Sequence, residues 1–307
     1  MLRAAGRSRR WIAVRPRPLQ YPGAVVARWV RLVFAAVLAV SMSACAASPG
    51  PPPEVVIAAS GEPDSVLLAN LYGAALRYYG TPVRVQEFDD PLAALDSGEA
   101  LIAPGLTGEL LDRLSPDTAG RSDEAVYKAL LGVLPEGVTA GDYATAAEDK
   151  PAVAVTEDTV DAWGGHTLTQ LVSKCEQLRF GRVAGAQTPS AVGACRASKP
   201  REFPDSAAMF AALRSNQINA AWSSSADPAV PVGVVLLDDR KPALIRGENA
   251  LPLYRRNELD PQQMVALNEV AGVLDTAALK GMRAQLADGA DPRALADAWL
   301  AENPIGN

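Results

Sequence analysis

The sequence predicts an α/β fold with parallel sheets, and three observations support this. Short apolar runs of strand length alternate along the chain with segments whose apolar residues recur at helical spacing. The order strand, helix, strand is typical of parallel sheets joined by crossover helices. The 307 residues are enough for one large domain or two ordinary ones with a substantial core.

Seven segments have the pattern expected of strands. Residues 54–59 (EVVIAA) and 152–156 (AVAVT) are short apolar runs, whereas residues 83–88 alternate in polarity. In chain order, the predicted strands are 54–59, 83–88, 100–103, 152–156, 218–222, 232–237 and 243–246.

Helix starts and stops separate these strands. Pro63 and Asp64 begin the first helix, since proline suits a first turn and an acid suits the positive end of the helix dipole. Gly80 ends it. Asp275 and Asp291 are favourable starts of the last two helices. The predicted helices are 63–79, 91–97, 107–114, 122–133, 158–163, 168–176, 207–216, 261–274, 276–287 and 292–302.

Residues 1–44 have the composition of an export signal. They hold eight arginines and no acid, followed by an apolar run at 32–44 that is too short to span a membrane. The ending Met42-Ser43-Ala44-Cys45 resembles the lipobox of bacterial lipoproteins, which implies cleavage before Cys45 and its diacylation; an ordinary secretory signal is the alternative. Residues 45–53 are predicted to be a tether, and residues 1–25 an over-extended gene start.

The chain after this leader is acidic. Without the eight arginines, 21 basic and 35 acidic residues remain, a charge of −14. This charge argues against nucleic acid as a partner. The single histidine, His166, excludes multi-histidine zinc sites and leaves little room for triad chemistry. We therefore expect no metal, no cofactor and no catalytic residue, so an exported enzyme is the least favoured class.

Two cysteines, Cys175 and Cys195, remain after Cys45. In an exported protein this pair predicts a structural disulfide. Two buried thiols or a redox pair are the alternatives, although the C-x-x-C spacing of redox pairs is absent.

Four ordered blocks resemble the substrate-binding proteins of ABC importers for glycine betaine, carnitine and choline. Residues 55–76 (VVIAASGEPDSVLLANLYGAAL) align with that family's strand, turn and helix, often I-V-I-G-S-K-N-F-T-E-Q. Residues 97–111 (SGEALIAPGLTGELL) align with S-G-E-I-D-L-Y-P-E-Y-T-G-T-L-L. Residues 209–239 resemble a stretch containing Y-S-T-D-G, and residues 274–306 follow the last two helices, which end W-L-x-x-N-G-L.

The resemblance implies a two-lobed fold of the type II periplasmic-binding-protein kind, with two crossover strands. Lobe one would be 54–145 plus 228–307, and lobe two 150–222 with the cysteine pair. A small solute would bind in the cleft and close the lobes by a hinge motion. The implied protein is an extracytoplasmic, lipid-anchored monomer on the cell membrane that works with an ABC permease.

The aromatic residues of this family are depleted here. Proteins hold quaternary ammonium groups in boxes of aromatic rings through cation–π attraction. Where the family has L-Y-P-E-Y-T-G, residues 102–108 read IAPGLTG, so Ala103 and Leu106 replace both tyrosines. Trp222, at or next to the tyrosine of Y-S-T-D-G, and Tyr143 are the candidate rings. We therefore predict a small organic solute of altered type, with betaine as the family default.

The remaining candidate ligand-binding residues are polar or flank the altered block. Ser60, Gly61 and Asp64 lie at the first helix start, which could bind a carboxylate through free N–H groups or, through Asp64, a cation. Plain capping is the alternative reading. Thr107, next to Leu106, would begin a helix that faces the cleft.

Two serines complete the set. Ser223 and Ser224 would donate hydrogen bonds to a ligand or form a hinge turn, and Trp222 before them has core packing as its alternative.

A second function class stays open, an orphan envelope lipoprotein that senses a ligand or docks a partner without transport. Neighbouring permease and ATPase genes would favour import.

Overall fold

A computed structural model describes residues 54–196 and 198–306. The predicted signal at 1–44, the predicted lipidation site Cys45 and the predicted tether at 45–53 lie outside the described residues. None of the described helices is both long enough and apolar enough to cross a membrane.

The described chain contains twelve strands and ten α-helices. The strands are β1 (Val55–Ala59), β2 (Val83–Glu87), β3 (Ile102–Leu106), β4 (Val138–Ala140), β5 (Pro151–Thr156), β6 (Phe180–Val183), β7 (Ala191–Val192), β8 (Cys195–Arg196), β9 (Arg201–Phe203), β10 (Ala220–Ser224), β11 (Val234–Leu236) and β12 (Ala250–Arg255). The helices are α1 (Pro63–Tyr78), α2 (Pro91–Ser97), α3 (Thr107–Leu114), α4 (Asp123–Leu131), α5 (Glu157–Trp163), α6 (Leu168–Ser173), α7 (Ser206–Arg214), α8 (Pro261–Val273), α9 (Thr276–Ala287) and α10 (Pro292–Glu302).

Two five-stranded sheets organise the fold. The first has the order β2-β1-β3-β12-β4, in which β1 is parallel to β2 and β3 while β12 is antiparallel to both its neighbours. The second has the order β11-β5-β10-β6-β9, with β10 and β11 antiparallel to β5 and β6 parallel to β10 and β9. The predicted two-lobed α/β fold is confirmed, but the predicted parallel sheets are mixed, because β12 in the first sheet and β5 in the second run antiparallel to their neighbours. We call the part around the first sheet lobe one and the part around the second sheet lobe two.

Each sheet is covered by helices on both faces. In lobe one, one cluster of buried residues includes Leu67, Tyr72 and Trp299, and a second cluster includes Leu111 and Leu130. In lobe two, the corresponding clusters centre on β5 and β10, one with α6 and the other with α7. This burial explains why β1 (VVIAA) and β5 (PAVAVT) are apolar along most of their length.

The chain returns to lobe one later than the predicted boundary at residue 228. The reason is β11, whose residues Val234, Val235 and Leu236 pair with β5 in the second sheet. Ile245 is also buried among lobe-two residues. The return to the first sheet is complete only at β12.

Three segments run side by side where the lobes meet, and we call 148–150, 225 and 247–249 together the hinge. Glu148 and Asn249 form an isolated antiparallel bridge. The amide of Asp149 donates to the Glu248 carbonyl at 2.8 Å, and the amide of Ser225 donates to the Lys150 carbonyl at 2.9 Å. These bonds fix the positions of the side chains that project from the hinge.

The predicted disulfide is present in the structure. Cys175 and Cys195 are joined, with their Cα atoms 5.5 Å apart. Cys195 belongs to the two-stranded ribbon β7–β8, so the bond fastens this ribbon to the turn after α6.

One predicted strand, 243–246, is wrong. Its amides do not enter a ladder, because Leu244 N and Ile245 N donate to the two carboxylate oxygens of Asp239 at 2.8 and 3.1 Å. The side chain of Asp239 is 2% exposed, and Lys150 of the hinge lies 3.7 Å from it. A side-chain acceptor thus replaces a neighbouring strand at this position.

Candidate functional site

A cavity of about 930 Å³ lies between the lobes. Lobe one contributes residues of α3 and of the loop that follows it, including Glu109, Asp112 and Arg121. Lobe two contributes Pro151 and residues 187–191, the loop that leads into the disulfide-fastened ribbon. Residues 244–246 and Glu248, on the segment returning to lobe one, complete the wall. Both lobes therefore contact whatever occupies this space.

Glu248 lines the cavity and connects the segment 244–248 to α3 through hydrogen bonds. Its Oε2 accepts hydrogen bonds from the amides of Gly108 and Glu109, both at 2.9 Å. These are N–H groups of the first turn of α3, which have no partner inside the helix. Burial raises the pKa of Glu248 to about 7; the charges of Glu109 and Asp149 act in the same direction, and the two amide bonds oppose it. Glu248 therefore titrates near neutral pH.

Gly108 makes this arrangement possible. A Cβ at residue 108 would lie 2.5 Å from Oε1 of Glu248 and 2.7 Å from the carbonyl oxygen of Gly247. Because the second contact is with backbone, a side chain here would displace the hinge. The Thr-Gly pair thus has a local reason in this structure, which is the close approach of the hinge to α3.

Arg246 connects the returning segment to lobe one. Its guanidinium pairs with Asp112 and donates to the Thr118 carbonyl at 2.8 Å. The amide of Gly247 donates to the Arg121 carbonyl at 2.8 Å. The positive charge of Arg246 is therefore partly neutralised, and the remaining charged lining groups are Glu109, Glu248 and Arg121.

An ion network that does not line the cavity joins the hinge to α9 and to the start of α1. Arg283 of α9 pairs with Asp149 of the hinge, with side chains only 10% and 12% exposed. Arg283 also lies 3.1 Å from Asp64 at the start of α1. Burial raises the pKa of Asp64, and Arg283 partly offsets this.

Of the predicted ligand-binding residues, Ser60, Gly61 and Asp64 lie at the start of α1. The Ser65 hydroxyl accepts from the Ser60 amide at 2.9 Å, and the Ser60 hydroxyl accepts from the Glu62 amide at 3.3 Å. These bonds hold the turn before α1, whose N-cap residue Glu62 makes no side-chain capping bond, and none of the three residues lines the described cavity.

Leu106 and Thr107 lie beside the cavity wall, separated from the lining residue Glu109 by Gly108. Thr107 is fully buried, and its hydroxyl accepts from the Asn249 amide at 3.0 Å. This hydroxyl joins α3 to the hinge and therefore supports the wall instead of forming it.

Of the two candidate rings, Trp222 is packed inside lobe two, and the half-buried Tyr143 packs against the core of lobe one. The Tyr143 ring lies 4.7 Å from that of Tyr127 in lobe one. Trp222 is 3% exposed and stacks on Phe180 at 5.4 Å in the core of lobe two. These placements favour packing over ligand binding for both residues.

Ser223 and Ser224 lie at the end of β10, next to the hinge. The Ser223 hydroxyl bonds the Asp227 carboxylate at 2.6 Å. Ser224 is opposite Pro151, a cavity residue, in the β5–β10 ladder. The structure thus brings Ser224 and the 106–107 pair close to the wall.

Sequence reasoning missed Glu248, Arg246 and the loop 187–191. Glu248 is 140 residues from Gly108, and no spacing rule joins positions so far apart. Among the described residues that line the cavity, none is aromatic. The predicted depletion of rings therefore extends to the cavity wall.

Comparison with known proteins agrees with this architecture. The model of one family, the substrate-binding domain of ABC-type glycine betaine transport systems, matches residues 53–302, which confirms the resemblance found in the sequence. No curated protein matches this chain in sequence.

Solved structures show the same fold at low identity. Apo YehZ from Escherichia coli is 19% identical, with 82% of this chain and 99% of that chain covered and a TM-score of 0.64. A glycine betaine/carnitine/choline ABC transporter protein is 16% identical over 81% and 98%, with a TM-score of 0.67. A choline-binding protein in complex with choline is 14% identical over 82% and 89%, with a TM-score of 0.52.

Proposed function

Because the chain belongs to the family of substrate-binding domains of ABC-type glycine betaine transport systems, we propose that it binds a small organic solute in the cavity between its lobes. The family consists of extracytoplasmic solute-binding proteins of ABC importers, not of enzymes. The observation that carries the proposal is the cavity itself, because its walls come from both lobes and from the segment between them. Such a site closes when the lobes rotate about a hinge.

The solute differs from the quaternary ammonium compounds bound by relatives. A ring within about 6 Å contributes roughly 0.5–2 kcal/mol to binding such a cation, and the described cavity residues supply no ring. Ala103, at the first of the family's two tyrosine positions, is buried in the first sheet. Gly105 lies between the two tyrosine positions, and a Cβ there would lie 3.0 Å from Leu110. Both tyrosine positions are thus aliphatic, as Ala103 and Leu106, and supply no ring to a cation.

Calorimetric titration tests this specificity. We expect betaine, choline, carnitine and proline betaine to bind weakly, while mass spectrometry of the purified protein reveals a different co-purifying solute. Micromolar binding of any of the four would contradict the altered specificity, although it would leave the solute-binding function intact.

The resemblance of residues 42–45 to a lipobox supports a second proposal, that lipidated Cys45 anchors this protein to the outer face of the membrane. Two acyl chains anchor a protein firmly, whereas one chain binds only marginally. Intact-mass measurement of the membrane-extracted protein is expected to show cleavage before Cys45 and a diacylglycerol adduct that Cys45→Ser abolishes. Release of an unmodified protein from wild-type cells would contradict the anchor. The partner of this binding protein is its cognate ABC permease. The binding protein itself acts as a monomer.

A further inference from the structure

We infer that Glu248 determines the ligand class of the cleft: it occupies the start of α3 where a ligand carboxylate would bind, and it receives a ligand ammonium group that carries N–H donors. This inference rests on the proposed solute-binding function and narrows its substrate class to small amines. Three structural observations lead to it.

First, the donors at the start of α3 are already used. Thr107 N donates to the Asn249 carbonyl at 3.0 Å. The next two amides both donate to Oε2 of Glu248. A helix N-terminus attracts anions through such N–H groups, so a ligand carboxylate would find the groups occupied and a carboxylate beside them.

Second, Glu248 keeps one oxygen for another partner. Within the described part of the chain, Oε1 accepts no hydrogen bond, and Glu248 lines the cavity. A carboxylate has about four acceptor sites on its two oxygens. The unused sites can accept from an ammonium N–H, which gives a charge-assisted bond about twice as strong as a neutral one.

Third, the charges around Glu248 favour a cation. Glu109 on α3 and Asp149 on the hinge are the acids that act on it, and Asp112 also lines the cavity. The facing positive groups are Arg121 and Arg246, of which Arg246 is paired with Asp112. The lining holds three acids, Glu109, Asp112 and Glu248 itself, against two bases, so it is negative by one charge when Glu248 is ionised.

The lack of rings selects among cations. A quaternary ammonium has no N–H to donate and depends on aromatic faces. A primary amine needs acceptors, and Glu248 is positioned to supply them. Ethanolamine and choline form a matched pair of probes, because they differ only in three N-methyl groups.

The charge state of Glu248 adds a pH signature. Its pKa of about 7 means that the carboxyl is mostly neutral at pH 6 and mostly ionised at pH 8. A cation prefers the ionised form, so binding strengthens as pH rises through 7. If the cation binds only to the ionised form of this one group, Kd falls about tenfold between pH 6 and pH 8.

Calorimetry at pH 6 and pH 8 with ethanolamine, putrescine, choline and betaine tests the inference. We expect the two primary amines to bind more tightly than choline, betaine to bind most weakly, and amine binding to strengthen at pH 8. Glu248→Gln, which still accepts from the two amides, is expected to weaken amine binding about tenfold at pH 8 and to remove the pH dependence. Glu124→Gln, an exposed acid on α4, is the control and leaves both unchanged.

The outcomes separate two failures. If a co-purified solute binds in the cavity but is anionic or quaternary, or if Glu248→Gln leaves amine binding unchanged, the role of Glu248 is overturned and solute binding stands. If the protein binds no solute, both are overturned. The comparison of probes on wild-type protein does not depend on how well any variant folds.

Discussion

Replacing Arg283 by methionine is expected to lower the free energy of unfolding by about 3–5 kcal/mol, the cost of removing one partner from a buried ion pair. Asp149, whose side chain is 12% exposed, would lose the guanidinium that pairs with it. One oxygen of Asp149, Oδ1, is buried and has no hydrogen-bond partner among the described residues. The Asp149 carboxylate therefore depends on the pairing of its other oxygen, Oδ2, with Arg283. Urea unfolding followed by circular dichroism measures the loss.

A matched arginine on the neighbouring helix provides the control. Arg293 lies 3.8 Å from Asp297, with side chains 63% and 49% exposed. Exposed pairs of this kind contribute about 0–1 kcal/mol, so Arg293→Met is expected to change stability little. Equal losses for the two variants would show that the Arg283 network contributes no more than a surface pair.

Removing the disulfide is expected to cost about 3 kcal/mol. Cys175 and Cys195 close a loop with a sequence separation of 20. In the chain-entropy model, a cross-link over a loop of this length lowers the entropy of the unfolded chain and so stabilises the folded state by about 3 kcal/mol. The bond fastens the ribbon whose Val192 is fully buried in lobe two. The double variant Cys175→Ser/Cys195→Ser therefore has a lower thermal midpoint than the wild type.

Reductant supplies an internal control for this prediction. Dithiothreitol is expected to lower the midpoint of the wild type towards that of the double variant while leaving the variant itself unchanged. If the oxidised wild type and the variant unfold at the same temperature, the disulfide contributes nothing to stability.

The helices could be predicted from the sequence because their signals are local. Ser122, Asp205, Asp260, Asp275 and Asp291 each accept a hydrogen bond from the amide three residues later, which is the interaction that favours these residue types at helix starts. All ten described α-helices lie within two residues of their predicted bounds, apart from α6, which ends three residues before its predicted end.

The strands were harder, because pairing and not local pattern defines them. β4, β6, β9 and the ribbon are two to four residues long and exist through partners distant in sequence. β12 was missed although it is the centre of antiparallel pairing in the first sheet. Its segment ALPLYR contains Pro252, and proline within an apolar run argues against a strand from sequence alone.

The same contrast between local and long-range signals holds for the candidate site. The family and the loss of its aromatic residues could be predicted from ordered blocks of sequence, whereas the residues of the cavity wall could not. Trp222 follows an apolar strand, and only the packing of lobe two decides that its ring stacks on Phe180. Glu248 stands out only once the hinge is seen beside Gly108.

Calorimetric titration of the co-purifying solute into wild-type protein and into Ser190→Trp tests the central claim, binding between the lobes, most directly. Ser190 is an exposed residue of the cavity wall, so an indole there blocks the cavity without disturbing a core. Ser173→Trp, at an exposed position of α6 outside the wall, is the matched control. We predict binding of one solute per chain to the wild type and the control, and its loss in Ser190→Trp. Unchanged binding to Ser190→Trp would contradict the account.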